Sequence, residues 1–70
     1  MQETDLPTAV RTRRRALGLG QRDLADLAGV SERFVRAVET GKESVQLDRL
    51  RAVLDALGLE LRVGLRGTDD

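Results

Sequence analysis

The sequence predicts an all-α fold of four to five short helices, closed by a short C-terminal β-strand that pairs across a dimer. Three observations lead there. Apolar residues recur at helical spacing in four segments, a glycine follows each segment, and the last residues switch to strict alternation. The chain has 70 residues, enough for one domain with one small core. It contains no cysteine and no histidine, so neither a disulfide nor a thiolate or imidazole metal site can reinforce that core. Oligomerisation is the remaining route.

The first helix covers about residues 5–17, with Leu6, Val10, Ala16 and Leu17 near one face. Asp5 suits its N-cap, Pro7 is tolerated in a first turn, and Gly18 stops it. A second helix runs over about residues 21–28, with Leu24 and Ala28 one turn apart, and ends at Gly29. Ser31 caps a third, which runs to about Thr40 before Gly41. The fourth covers about residues 47–57, where Leu47, Leu50, Val53, Leu54 and Leu57 form an apolar stripe ahead of Gly58. Beyond it, Leu59, Leu61, Val63 and Leu65 alternate with Glu60, Arg62, Gly64 and Arg66. A lone strand leaves its backbone groups without partners, and no other segment reads as strand. Pairing with the same strand of a second copy across a two-fold axis satisfies it; the alternative is a frayed extension packed on the fourth helix. The division is an N-terminal arm (1–7), a helical domain (8–58), a dimerisation strand (59–66) and a tail (67–70).

Composition narrows the function classes. The N-terminal residues are polar and acidic, and no apolar run approaches the roughly 20 residues of a membrane span, so a soluble, cytoplasmic chain without membrane contact is expected. Two serines lack a base partner, no glycine-rich phosphate loop occurs, and Asp23 and Asp26 are ordinary i, i+3 acids on a helix. An enzyme is not expected, nor a cofactor. The 12 basic and 12 acidic residues balance, which argues mildly against a nucleic-acid partner. Distribution outweighs the sum: Arg11, Arg13, Arg14 and Arg15 cluster, and Arg33, Arg36 and Lys42 follow.

Residues 21–39 read as two helices joined by a tight turn. Ala25 is small where the helices cross, Gly29 permits the positive φ that redirects the chain, and Leu24, Val30, Val35 and Val38 form the shared apolar seam. Such a pair offers its second helix to the DNA major groove. The stretch resembles the Cro/CI-type (XRE) helix-turn-helix family. Arg14, Leu17, Gln21, Leu24, Ala25, Gly29, Val30, Val35, Glu39 and Gly41 stand where that family has them, and the likeness covers about residues 10–59. The ending Leu54-Asp55-Ala56-Leu57-Gly58-Leu59 before a short strand is similar to the HipB-type antitoxins. That second likeness implies a homodimer on a double-stranded DNA operator and a HipA-type kinase toxin as partner. A stand-alone XRE regulator, or an interaction module that has lost DNA binding, shares most of these features.

Arg33 is the first candidate for reading a base, because a guanidinium binds guanine O6 and N7 together. Arg36 can read a base or grip a phosphate; Glu32 can accept from a cytosine amine or complement the helix N-terminus. Phe34 and Ala37 complete the exposed turns, with Phe34 either against a thymine methyl or partly buried beside Val30 and Val38. Gln21, Ser31 and Lys42 are the phosphate candidates, although capping alone accounts for Ser31. Arg11, Arg13, Arg15 and Ser44 are flanking candidates that a solvated surface explains equally well. The resemblance assigns Arg14 and Glu39 to a partly buried ion pair tying the first helix to the third.

Overall fold

The computed structural model describes residues 5–63, and Leu65 of the expected strand lies outside them. Within that span the chain forms four helices: α1 (Leu6–Ala16), α2 (Gln21–Ala28), α3 (Glu32–Glu39) and α4 (Leu47–Ala56). No helix among the described residues is long and apolar enough to cross a membrane. The Asp5 carboxylate caps α1 by accepting from the Thr8 N–H at 2.9 Å, and the Thr8 side chain together with that N–H holds the carboxyl below its ordinary range. Pro7 sits in the first turn, so Leu6 and Pro7 belong to α1 and not to the arm.

All four helices close the same way. Leu19, Val30, Lys42 and Leu59 each donate their N–H to the carbonyl five residues back: Arg14, Ala25, Ala37 and Leu54. This leaves a glycine at positive φ one step earlier, and Gly29 at φ +71° makes the turn between α2 and α3. The residue after the glycine then folds back onto the domain. Leu19, Val30 and Leu59 are apolar and pack against the core; Lys42 is the polar exception and stays exposed.

The core comprises Val10, Leu24, Ala25, Val35, Val38, Leu50, Val53, Leu54 and Leu57, with α2 packed against α3 and α4, and α1 against α3. Val30 is partly buried in the seam between α2 and α3. Three residues assigned to apolar faces lie at the margins: Ala16 and Leu17 are exposed at the end of α1, and Leu47 is 57% exposed at the start of α4. Each is a terminal residue of its stripe, where the helix has already passed the partner that would cover it.

Residues 59–63 form no strand. A strand needs a neighbour for its N–H and C=O groups, and none is available among the described residues. Leu59 is instead spent on closing α4 and packing on the core, while Leu61 and Val63 are 49% and 97% exposed.

Candidate nucleic-acid interface

Helix α3 has two distinct sides. Val35, Val38 and Glu39 face inward and are buried, whereas Arg33 and Arg36 are exposed and Glu32, Phe34 and Ala37 are half-buried. Ser31 fixes the entry, its Oγ accepting from the Phe34 N–H at 3.0 Å. At the far end, the α3 carbonyl of Glu39 accepts from Arg11 Nη1 at 3.0 Å.

The inner side is locked by charge. Arg14 donates to both carboxylate oxygens of Glu39, Nε to Oε2 at 2.6 Å and Nη2 to Oε1 at 2.9 Å, and donates from Nη1 to the Leu19 carbonyl at 2.9 Å. Both side chains are under 10% exposed. Burial pushes the Glu39 carboxyl up, but hydrogen bonds from Arg14 and Gln21, with the charges of Arg14 and Arg11, outweigh it and hold it below its ordinary range. The hydrogen bond to Glu39 raises Arg14 in turn, against the desolvation that lowers it. The pair ties α1 to α3.

The Gln21 side chain is engaged at both ends of its amide. Its Nε2 donates to Glu39 Oε1 at 3.1 Å, and its Oε1 accepts from Arg36 Nε at 3.3 Å. Arg36 Nη2 also donates to Glu32 Oε2 at 2.7 Å, an exposed i, i+4 pair. At the start of α2 the Asp23 carboxylate accepts from the Gly20 N–H at 2.7 Å, which already places an anion there.

The remaining candidates gather beside the start of α3. Ser31, Arg33, Phe34, Ala37 and Lys42 line one shallow hollow together with Ser44 and Arg49. Its half-buried walls are Phe34, Ala37 and Val45, and its exposed cations are Arg33, Lys42 and Arg49. Phe34 packs against the core edge, so its ring is shared between wall and interior. Three cations on one side give a locally basic surface on a chain of zero net charge. Arg49 is absent from any sequence motif: it belongs to α4, and the fold brings it into one hollow with Arg33.

Two flanking candidates have other work. Arg11 takes the Glu39 carbonyl, and Arg13 Nε donates to the Leu57 carbonyl at 2.9 Å. Helix C-termini present carbonyls without intrahelical partners and a negative dipole end, so these arginines cap α3 and α4 from a distance. Arg15 is exposed.

The helix-turn-helix family matches residues 10–63, which takes in most of α1 and all of α2, α3 and α4. The chain is also similar to an uncharacterized HTH-type transcriptional regulator, y4mF, of Sinorhizobium fredii. The two are 36% identical over 59 residues, covering 84% of this chain and 78% of that protein.

Proposed function

This chain belongs to the helix-turn-helix family, and from that premise we propose that it is a sequence-specific, DNA-binding transcriptional repressor acting as a cytoplasmic homodimer. The observation that carries the reading is the two-sidedness of α3. Its inner side and both ends are fixed, and its outer side offers the exposed Arg36 and, beside the cations Lys42 and Arg49, Arg33. Helix α3 enters the major groove, Arg33 reads guanine in bidentate fashion, and Lys42, Arg49 and the Ser31 hydroxyl hold phosphates. Two subunits address half-sites about 10 base pairs apart.

The test is binding to the DNA upstream of the chain's own gene at two salt concentrations. Lys42 and Arg49 in each of two subunits neutralise about four phosphates, a slope of about −3.6, so affinity falls about 150-fold between 50 and 200 mM salt. Absence of binding at low salt refutes the repressor and leaves an interaction module.

The dimer reading rests on the exposed Leu61 and Val63 and on the alternation through Leu65. A chain ending at Leu59 keeps the closure of α4 and is expected to sediment as a monomer; a truncated chain that stays dimeric at low concentration refutes strand pairing. The finer role, antitoxin to a HipA-type kinase toxin, rests on the likeness of residues 54–59 to HipB-type antitoxins. It requires a kinase-like gene adjoining this one whose product co-purifies with the chain. Without such a gene, the repressor stands alone.

A further inference from the structure

The hydrogen bonds of Arg36 run in one line from the core to the recognition surface. Arg14 holds Glu39, Glu39 accepts from the Gln21 amide nitrogen, the Gln21 oxygen accepts from Arg36 Nε, and Arg36 Nη2 donates to Glu32. The order is chemically forced. Ionised Glu39 is acceptor-only, so Gln21 must turn its NH₂ toward it and its oxygen toward α3. The guanidinium of Arg36 therefore meets two acceptors, Gln21 Oε1 at 3.3 Å and Glu32 Oε2 at 2.7 Å.

We propose that Glu32 is a specificity-determining residue: it serves as an internal counter-anion that keeps Arg36 from gripping phosphates at random, with Gln21 as the positioning residue that sets the guanidinium between them. The inference rests on the DNA-binding reading above and deepens it. A phosphate of any sequence offers Arg36 one anionic contact, for which it must give up an existing one. A site whose base edges or geometry offer Arg36 a better set of acceptors displaces Glu32 at a net gain. Glu32 thus lowers affinity for DNA in general more than affinity for the right DNA, and the difference appears as discrimination.

The partner of the discrimination is on the same surface. Arg33, three residues before Arg36, has no acceptor of this kind among the hydrogen bonds of the described residues, so it is free to search while Arg36 is held. The two arginines of α3 consequently differ in the salt dependence they contribute: Arg33 adds to it in any complex, and Arg36 only where Glu32 has let go.

The experiment compares the full chain with Glu32→Gln and with Glu43→Gln, which removes an equal charge from the loop after α3. Each is titrated against a random-sequence 30-base-pair duplex and against a duplex enriched by the wild-type chain from a randomised pool. Release of an exposed ion pair is worth about twofold, and a full added phosphate contact about eightfold at 0.1 M salt. Glu32→Gln is therefore expected to bind the random duplex about two- to eightfold more tightly per subunit than Glu43→Gln does, or about four- to sixtyfold for a dimer, with a salt slope steeper by up to about 0.9 per subunit. Its preference for the enriched duplex falls correspondingly. In the free protein, the Arg36 Nη2–H resonances, which report the bond to Glu32, should lose protection from exchange in Glu32→Gln and keep it in Glu43→Gln. Equal random-duplex affinity and equal slope for the two variants overturn the proposal, as does an undiminished preference in Glu32→Gln. If the wild-type chain binds neither duplex at low salt, the DNA-binding reading falls and takes this inference with it, whereas normal wild-type binding with no effect of Glu32→Gln removes this inference alone.

Discussion

Glu39→Leu leaves the Arg14 guanidinium buried without its carboxylate. The substitution removes the bonds at 2.6 and 2.9 Å and orphans the Gln21 amide, at a site where Arg14 and Glu39 are 8% and 5% exposed. Removing one partner of a buried pair costs about 3–5 kcal/mol, because the other charge stays desolvated. At roughly 0.05–0.15 kcal/mol per residue, a chain of 70 residues holds about 3.5–10 kcal/mol in total. The single variant is therefore expected near the edge of unfolding. At about 4–8 °C per kcal/mol, even the lower figure displaces the midpoint by about 12–24 °C. Arg14→Met with Glu39→Leu removes both charges together and should be more stable than Glu39→Leu alone. Urea denaturation followed by far-UV circular dichroism at pH 7 reads four chains: wild type, Glu39→Leu, Arg14→Met and the double variant. A Glu39→Leu loss below about 1 kcal/mol, or a double variant as unstable as the sum of its singles, refutes the pair as the tie between α1 and α3. Acid gives an independent check. The folded value of Glu39 lies below its ordinary 4.5, so its stabilisation is complete above that pH and is lost as pH falls through the folded value. The double variant lacks that part of the acid sensitivity.

Arg33→Ala should cost about 1–3 kcal/mol of specific DNA affinity with the thermal midpoint unchanged; equal discrimination between an operator and its mutant before and after the change counts against base reading. Asp5→Ala loses the cap at Thr8 and should lower the melting temperature at pH 7. Because the Asp5 carboxyl is held below 3.8, the gap to wild type should close as pH falls through that lower range, and a gap constant down to pH 2 contradicts it. Gly29→Ala meets no atom within 4 Å of the added Cβ, so its cost is conformational, about 1–2 kcal/mol at φ +71°. A neutral substitution, measured by the same urea titration, would show that the turn can open.

The four helices are legible because their ends are written locally: Asp5 and Ser31 cap by side-chain oxygens three residues from the N–H they satisfy, and a glycine follows each helix. The inner face of α3 is legible for the same reason, through Val35 and Val38 one turn apart. What escapes is whatever depends on packing between distant segments. Arg11 and Arg13 look like members of a surface charge run, and only the placement of α3 and α4 shows the carbonyls they cap. Gln21 stands at a helix start, a position that suggests phosphate, while its amide is drawn inward by a carboxylate 18 residues away. Arg49 joins the basic hollow from α4 without any motif. The alternation of residues 59–65 is visible in the sequence, yet residues 59–63 form no strand.

The long bonds of α1 also have a consequence in time. Arg13 takes its carbonyl from Leu57, 44 residues later in the chain. At about 5–20 residues per second, a ribosome needs roughly 2–9 s to make that stretch. For that interval the first helix to be made lacks its last acceptor, and Val10 lacks the rest of its core. The earliest segment of the domain is thus completed by one of its latest.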